Sequence, residues 1–230
     1  MGYEKQASQM KHVNYGFVYI SRATAEKLGM DTSDDKKFYE MSGRKGWGVK
    51  IDDFIDFVDK ELQEKYGEFE YAREVRNGAI KIQMLKTNTF QDLVFDLDEA
   101  LDTKGYSGPY MQYAYVRSHS VSAKSGDIDL LNNQNLTSTY TPNPDESALL
   151  RWLCRFPEVV QKSAVEFAPN LLSDFLFELA KRYNSFYNNV SILKTVEPDA
   201  KAFRLQLNAA VGIVIKNGLN ILGISSPEKM

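Results

Sequence analysis

The spacing of apolar positions changes several times along the chain. Residues 11–20 alternate apolar and polar side chains before turning continuously apolar at Phe17, Val18, Tyr19 and Ile20, and this pattern predicts a strand. Glycines and charges then crowd residues 31–50, with Gly43, Gly46 and Gly48 close together, so a surface loop is expected there, closed by a short strand at 49–51. From Asp52 the period becomes helical. Phe54, Ile55, Val58, Leu62 and Tyr66 share one face, Asp52 or Asp53 can cap the first turn, and Gly67 ends the helix. A second helix is predicted from about 69 to 86 on the stripe Ala72, Val75, Ala79, Ile82 and Leu85, despite the cost of Gly78. Residues 92–96 read as a brief extended element and 97–101 as a helical turn.

Beyond Gly105 the chain becomes helical throughout. Pro109 is preset for the first turn of a helix reaching about residue 124. Residues 126–143, rich in Asn, Ser and Thr, read as an exposed crossover. Helices with breaks at Phe156-Pro157, at Ala168-Pro169 and over 191–198 follow. The last runs over about 199–222, with Phe203, Leu207, Ala210, Val211, Val214 and Leu222 on one face and Gly223 as its cap. The expected fold is therefore mainly α, a C-terminal helical bundle preceded by a small mixed α/β part.

Composition narrows the functional classes. Of the 230 residues, 43% are hydrophobic and 26% charged, values typical of globular proteins. The longest uninterrupted apolar run, 209–215, is far short of the ~20 residues that span a bilayer. The opening Met1-Gly2-Tyr3-Glu4-Lys5-Gln6 matches neither a signal peptide nor a myristoylation site, so a cytoplasmic protein is expected. Cys154 sits in an apolar stretch and reads as an inert core thiol. With only His12 and His119 beside it, no zinc set is available. Asp92, Asp96, Asp98 and Glu99 lack the spacing of a calcium loop and read as a solvated acidic turn. His119, between Ser118 and Ser120, forms no dyad with either, because sequence neighbours on a helix point apart. The net charge of −3 argues against a binder of duplex nucleic acid, which works by neutralising many phosphates. Single-stranded RNA needs less net charge, because aromatic planes grip its splayed bases, and aromatics reach 12% here.

Three clusters carry candidate chemistry. Met41, Ser42, Gly43, Arg44 and Lys45 combine flexible backbone with two cations, which suits an anion, although a solvated basic turn fits as well. Tyr110, Tyr113 and Arg117 fall at i, i+3 and i+7 of one helix and could stack bases and meet a phosphate. Tyr183, Phe186 and Tyr187 accompany Asn184, Asn188 and Asn189 on another. The competing reading of both aromatic stripes is simple packing, which would make this a helical interaction protein that binds no RNA.

The order of these pieces resembles the C-terminal part of an arginyl-tRNA synthetase, a class I aminoacyl-tRNA synthetase. The resemblance rests on Gln9-Met10-Lys11-His12-Val13-Asn14-Tyr15-Gly16 leading to Glu40-Met41-Ser42-Gly43-Arg44-Lys45-Gly46, which stands where the class has Lys-Met-Ser-Lys-Ser. It rests further on Gly108-Pro109-Tyr110-Met111-Gln112-Tyr113-Ala114-Tyr115-Val116-Arg117 and on the closing Ser226-Pro227-Glu228-Lys229-Met230. Glu40 departs from the class pattern. The resemblance implies a remnant of the catalytic domain over 1–50, connecting helices over 51–105 and a helical anticodon-binding domain over 106–230. It implies tRNA-Arg as partner, without DNA or membrane, bound by a monomer. The anticodon loop would meet Tyr110, Gln112, Tyr113, Arg117, Tyr183, Asn184, Tyr187 and Met230. Met41, Ser42, Gly43, Arg44 and Lys45 would be the ATP loop of the full-length enzyme, which uses ATP with magnesium. No His-Ile-Gly-His-like motif occurs in the chain, and no strand–helix series precedes Met10. A cut-down piece that binds no cofactor and is catalytically silent by itself is therefore expected.

Overall fold

The computed structural model describes residues 2–34, 36–40, 49–126 and 140–230. Its N-terminal part is a three-stranded sheet with helices on one face. Strand β1 (Val18–Ser21) is central, antiparallel to β2 (Phe38–Glu40) and parallel to β3 (Leu93–Phe95). The register places Ile20 opposite both Tyr39 and Phe95, so the inward-pointing side chains of the three strands fall in line. Ile20, Tyr39, Leu93 and Phe95 are buried on that face. Ile20, Tyr39 and Phe95 belong to one core with Phe54, Val58 and Leu62 of α3 (Ile51–Tyr66) and Val75 and Ala79 of α4 (Ala72–Leu85).

The strand predicted over 11–20 forms only at its apolar end, because residues 11–16 have no strand to pair with. Two short helices, α1 (Glu4–Gln9) and α2 (Arg22–Lys27), were not legible: α1 buries nothing, and α2 is set by Ser21, whose side chain accepts from the Thr24 N–H. Strand β2 lies inside the segment expected to be a loop. Its three residues turn only Tyr39 inward, and pairing with β1 rather than sequence period makes it a strand. No strand forms at 49–51, because Ile51 already opens α3. Lys50 is the N-cap of α3, and Asp52 and Asp53 lie within its first turn, where their charge suits the helix dipole.

Helix α5 (Leu97–Ala100) is capped by Asp96 and leads to the bundle. The bundle consists of α6 (Gly108–Ser125), α7 (Pro144–Leu153), α8 (Phe156–Glu166), α9 (Pro169–Asn189) and α10 (Pro198–Ile221). Proline opens or nearly opens every one of them, consistent with its fixed φ. Caps add direction: the Ser107 side chain accepts from Tyr110 N–H, and Asn143 and Glu146 form a reciprocal capping box. Gly126 (φ 66°) and Gly223 (φ 69°) follow α6 and α10 in the left-handed region that glycine tolerates best. The bundle core gathers Met111, Ala114, Leu176, Leu179, Val211 and Ile215, and α4 joins both cores because Ile82 turns toward the bundle.

The buried stripe of α10 is Leu205, Asn208, Val211, Gly212, Ile215 and Leu219; Phe203, Ala210, Val214 and Leu222 flank it half-buried. Cys154 is exposed rather than buried, because it is the C-cap of α7 at the break before α8. Asp92 accepts from the Phe17 N–H, Asp98 of α5 pairs with Lys27 of α2, and Glu99 of α5 pairs with Lys86 at the end of α4, so these three acidic side chains have partners. Among the described residues no helix is long and apolar enough to cross a membrane, and no three His, Cys, Asp or Glu side chains gather as a metal site.

Candidate nucleic-acid interface

Helix α6 presents one face to an open cleft of ≈ 740 Å³, because residues 110, 113 and 117 recur every three or four positions and so share that face. The second half of α9 forms the opposite side with Asn184 and Asn188. Tyr66, Phe69 and Val75, the turn carrying Thr103 and Lys104, and the terminal Met230 complete the lining. Tyr113, Tyr187 and Met230 remain 39%, 39% and 41% exposed.

Arg117 is the centre of the arrangement. Its guanidinium carbon lies 4.7 Å from the Tyr113 ring centroid and 4.5 Å from that of Tyr187, so the cation is held over two aromatic faces. Nη1 donates to Asn184 Oδ1 at 2.7 Å and Nη2 to the Tyr113 hydroxyl at 3.1 Å. A planar fork fixed at both ends keeps its remaining N–H groups oriented, which a flexible ammonium could not do. Tyr110 is half-buried against Phe177 at 5.6 Å, and Phe177 stacks on Tyr106 at 4.5 Å with planes 9° apart. The Tyr106 hydroxyl donates to Asp174 Oδ1 at 2.7 Å, and burial raises its pKa above the ordinary phenol range.

Two expected site residues turn inward. Tyr183 is fully buried; its hydroxyl donates to Asn208 Oδ1 at 2.7 Å, and burial again raises the phenol pKa. Gln112 is likewise fully buried, roughly 100° around α6 from Tyr113, with its amide among backbone carbonyls. Neither offers a ligand any surface. Tyr110, Tyr113, Arg117, Asn184 and Met230 come together around the cleft, and Tyr187 joins them through Arg117. Met41, Ser42, Gly43, Arg44 and Lys45 lie outside the described residues. Sequence reasoning missed Lys104 and the apolar lining from Tyr66, Phe69 and Val75, because all lie before the helix that carried the recognisable spacing. His119 is exposed and stacks on Tyr115 at 6.0 Å, away from any nucleophile pairing.

Chemically the cleft offers ring planes, a fixed guanidinium, amide groups and an apolar wall. These suit unpaired bases and their backbone better than a small molecule needing acid–base chemistry.

Residues 111–230 match the DALR anticodon binding domain. The arginine–tRNA ligase of Flavobacterium psychrophilum is 31% identical over 97% of this chain, and that of Sulfolobus acidocaldarius 32% over all of it. The chain spans about a third of these relatives, 36% and 35% of their lengths. Among solved structures, Thermus thermophilus arginyl-tRNA synthetase superposes with a TM-score of 0.80 at 28% identity, covering 100% of this chain and 37% of that one. The chain belongs to the DALR anticodon binding domain family, and its fold is that of the C-terminal region of an arginyl-tRNA synthetase.

Proposed function

We propose that this chain is the part of an arginyl-tRNA synthetase that receives the anticodon loop of tRNA-Arg in the α6–α9 cleft. The observation that carries this reading is the half-exposed Tyr113 ring beside an Arg117 guanidinium clamped against two tyrosines, with Met230 lining the same cleft. Tyr113 supplies a stacking plane, Tyr110 and Arg117 meet the loop backbone, Asn184 and Tyr187 flank the entering base, and Met230 is an apolar wall. Tyr183 and Gln112 serve from beneath, by holding the elements that carry the others. The bundle from residue 106 onward acts as the RNA-binding unit, joined through 51–105 to a remnant of the catalytic domain over 1–50.

In the longer relatives the named reaction attaches arginine to tRNA, and its chemistry consumes ATP with magnesium. We assign Met41, Ser42, Gly43, Arg44 and Lys45 to the ATP end of that reaction in a complete enzyme, by resemblance alone; those residues lie outside the described part of the chain. Filter binding of the chain to tRNA-Arg and to a variant substituted at the central anticodon nucleotide tests the reading. Tighter binding of the unaltered tRNA is expected, and equal affinities would remove anticodon recognition.

A further inference from the structure

Gln112 stands one residue before the stacking Tyr113, yet its side chain is fully buried, about 100° around α6 from that ring. There its Nε2 donates two hydrogen bonds to backbone carbonyls distant in sequence, Glu74 O on α4 at 3.0 Å and Ser225 O on the tail after α10 at 2.8 Å. One amide group therefore ties three parts of the chain together: α6, α4 and the tail that ends at Met230.

The space around this amide is reserved. A Cβ on Gly78 would stand 2.6 Å from Gln112 Oε1, and a Cβ on Gly108 would collide with the Gly78 carbonyl. Two glycines inside or at the start of helices, normally unfavourable positions, thus bring α4 and α6 close enough to enclose the amide. The tail itself is regular neither as helix nor as strand. Besides Gln112 it is held by the buried Ile224 and Pro227 and by Lys81, whose ammonium donates to the Gly223 carbonyl. Four residues lie between Ser225 and Met230, so freeing the Ser225 carbonyl would loosen the segment that brings the Met230 side chain to the cleft.

We propose that Gln112 is a positioning residue of the cleft, a latch that holds the C-terminal tail so that Met230 forms its wall. This rests on the anticodon-loop reading of the cleft, and the test separates the two. Methyl-labelled methionine NMR of the whole 230-residue chain, free of RNA, reads the tail directly, with the Met230 signal assigned through Met230→Leu. In Gln112→Met, which preserves shape and removes both donors, the Met230 methyl is expected to narrow and move to its unstructured position while Met84 stays put. An unmoved Met230 methyl would overturn the latch whether or not RNA binds. If Gln112→Met does not fold, Gln112→Asn, which keeps the amide but withdraws it by one methylene, gives the same readout.

Affinity for tRNA-Arg then reports the consequence. Gln112→Met and Met230→Ala are each expected to weaken binding about tenfold, and the double variant no more than the weaker single one, because residues acting through one element do not add. Fully additive losses would mean that Gln112 acts by another route. If the unaltered chain binds no tRNA, the anticodon reading fails while the NMR result still decides the latch.

Discussion

Tyr183 donates its hydroxyl to Asn208 Oδ1, 2.7 Å away, at a point where neither side chain has any solvent exposure. Asn208 Nδ2 in turn donates to Ser118 O and Ser122 Oγ, both at 3.0 Å, and Ser118 Oγ donates to Asn208 O at 2.8 Å. This polar node joins α6, α9 and α10 directly behind the cleft, so the helices that present Arg117 and Asn184 keep a fixed spacing. Buried polar networks specify geometry when every member is satisfied.

Tyr183→Phe leaves Asn208 Oδ1 buried without its donor. A loss of about 1–3 kcal/mol in unfolding free energy is expected, the ordinary cost of a stranded buried acceptor, and is measured by urea denaturation. An unchanged midpoint would show that the node contributes nothing to the packing of α9 on α10.

Glu146 makes a second buried polar connection. Fully buried, it takes part in the α7 capping box, accepts from the Tyr140 hydroxyl at 2.8 Å and pairs with Arg204 Nε on α10 at 2.7 Å. Glu146→Ala removes one half of the capping box and leaves the mostly buried Arg204 guanidinium without its carboxylate. The expected loss is about 3–5 kcal/mol, read from the same denaturation curve. A loss near zero would contradict the pairing.

Where α4 crosses α6, Gly108→Ala drives a methyl group into the Gly78 carbonyl, which is backbone and cannot swing aside. About 1–3 kcal/mol of destabilisation is expected from the overpacked crossing, visible as a lowered melting temperature. The control Gly126→Asn, at a left-handed position with open space around it, is expected to change little.

Alkaline pH tests three buried phenols together. Burial is the main cause raising Tyr39, Tyr106 and Tyr183, with Tyr39 pushed up to about 12 and further held by its hydrogen bond to Asp34. The folded state thus keeps protons that the unfolded chain releases near pH 10, so their contribution is intact below pH 10 and is lost at higher pH, for Tyr39 as pH rises through about 12. Phenolate absorbance is expected to show Tyr39, Tyr106 and Tyr183 ionising only together with loss of helical circular dichroism. Smooth titration of all of them without unfolding would contradict the burial.

Much of this was legible in the sequence, and what was not has physical causes. The cleft face of α6 could be read because Ser107, Pro109 and the spacing of Tyr110, Tyr113 and Arg117 are local features of one well-capped helix. The division of labour between Tyr183 and Tyr187 could not, since both lie on one side of α9 and only Asn208, 25 residues further on, decides which turns inward. Gln112 was placed with the binding residues for a similar reason: its partners, Glu74 and Ser225, are 38 and 113 residues away. Strand β2 is made by pairing rather than by its own three residues, and Cys154 is exposed because its apolar run ends a helix.

The central claim is that the Tyr113 ring receives an unpaired base of the anticodon loop. The most direct measurement compares the unaltered chain with Tyr113→Ala for binding to a tRNA-Arg anticodon stem-loop, alongside their melting temperatures. Stacking of one base contributes about 1–3 kcal/mol, so a roughly 5- to 150-fold weaker complex at near-equal thermal stability is predicted. Equal affinity of the two proteins for the stem-loop would contradict the account.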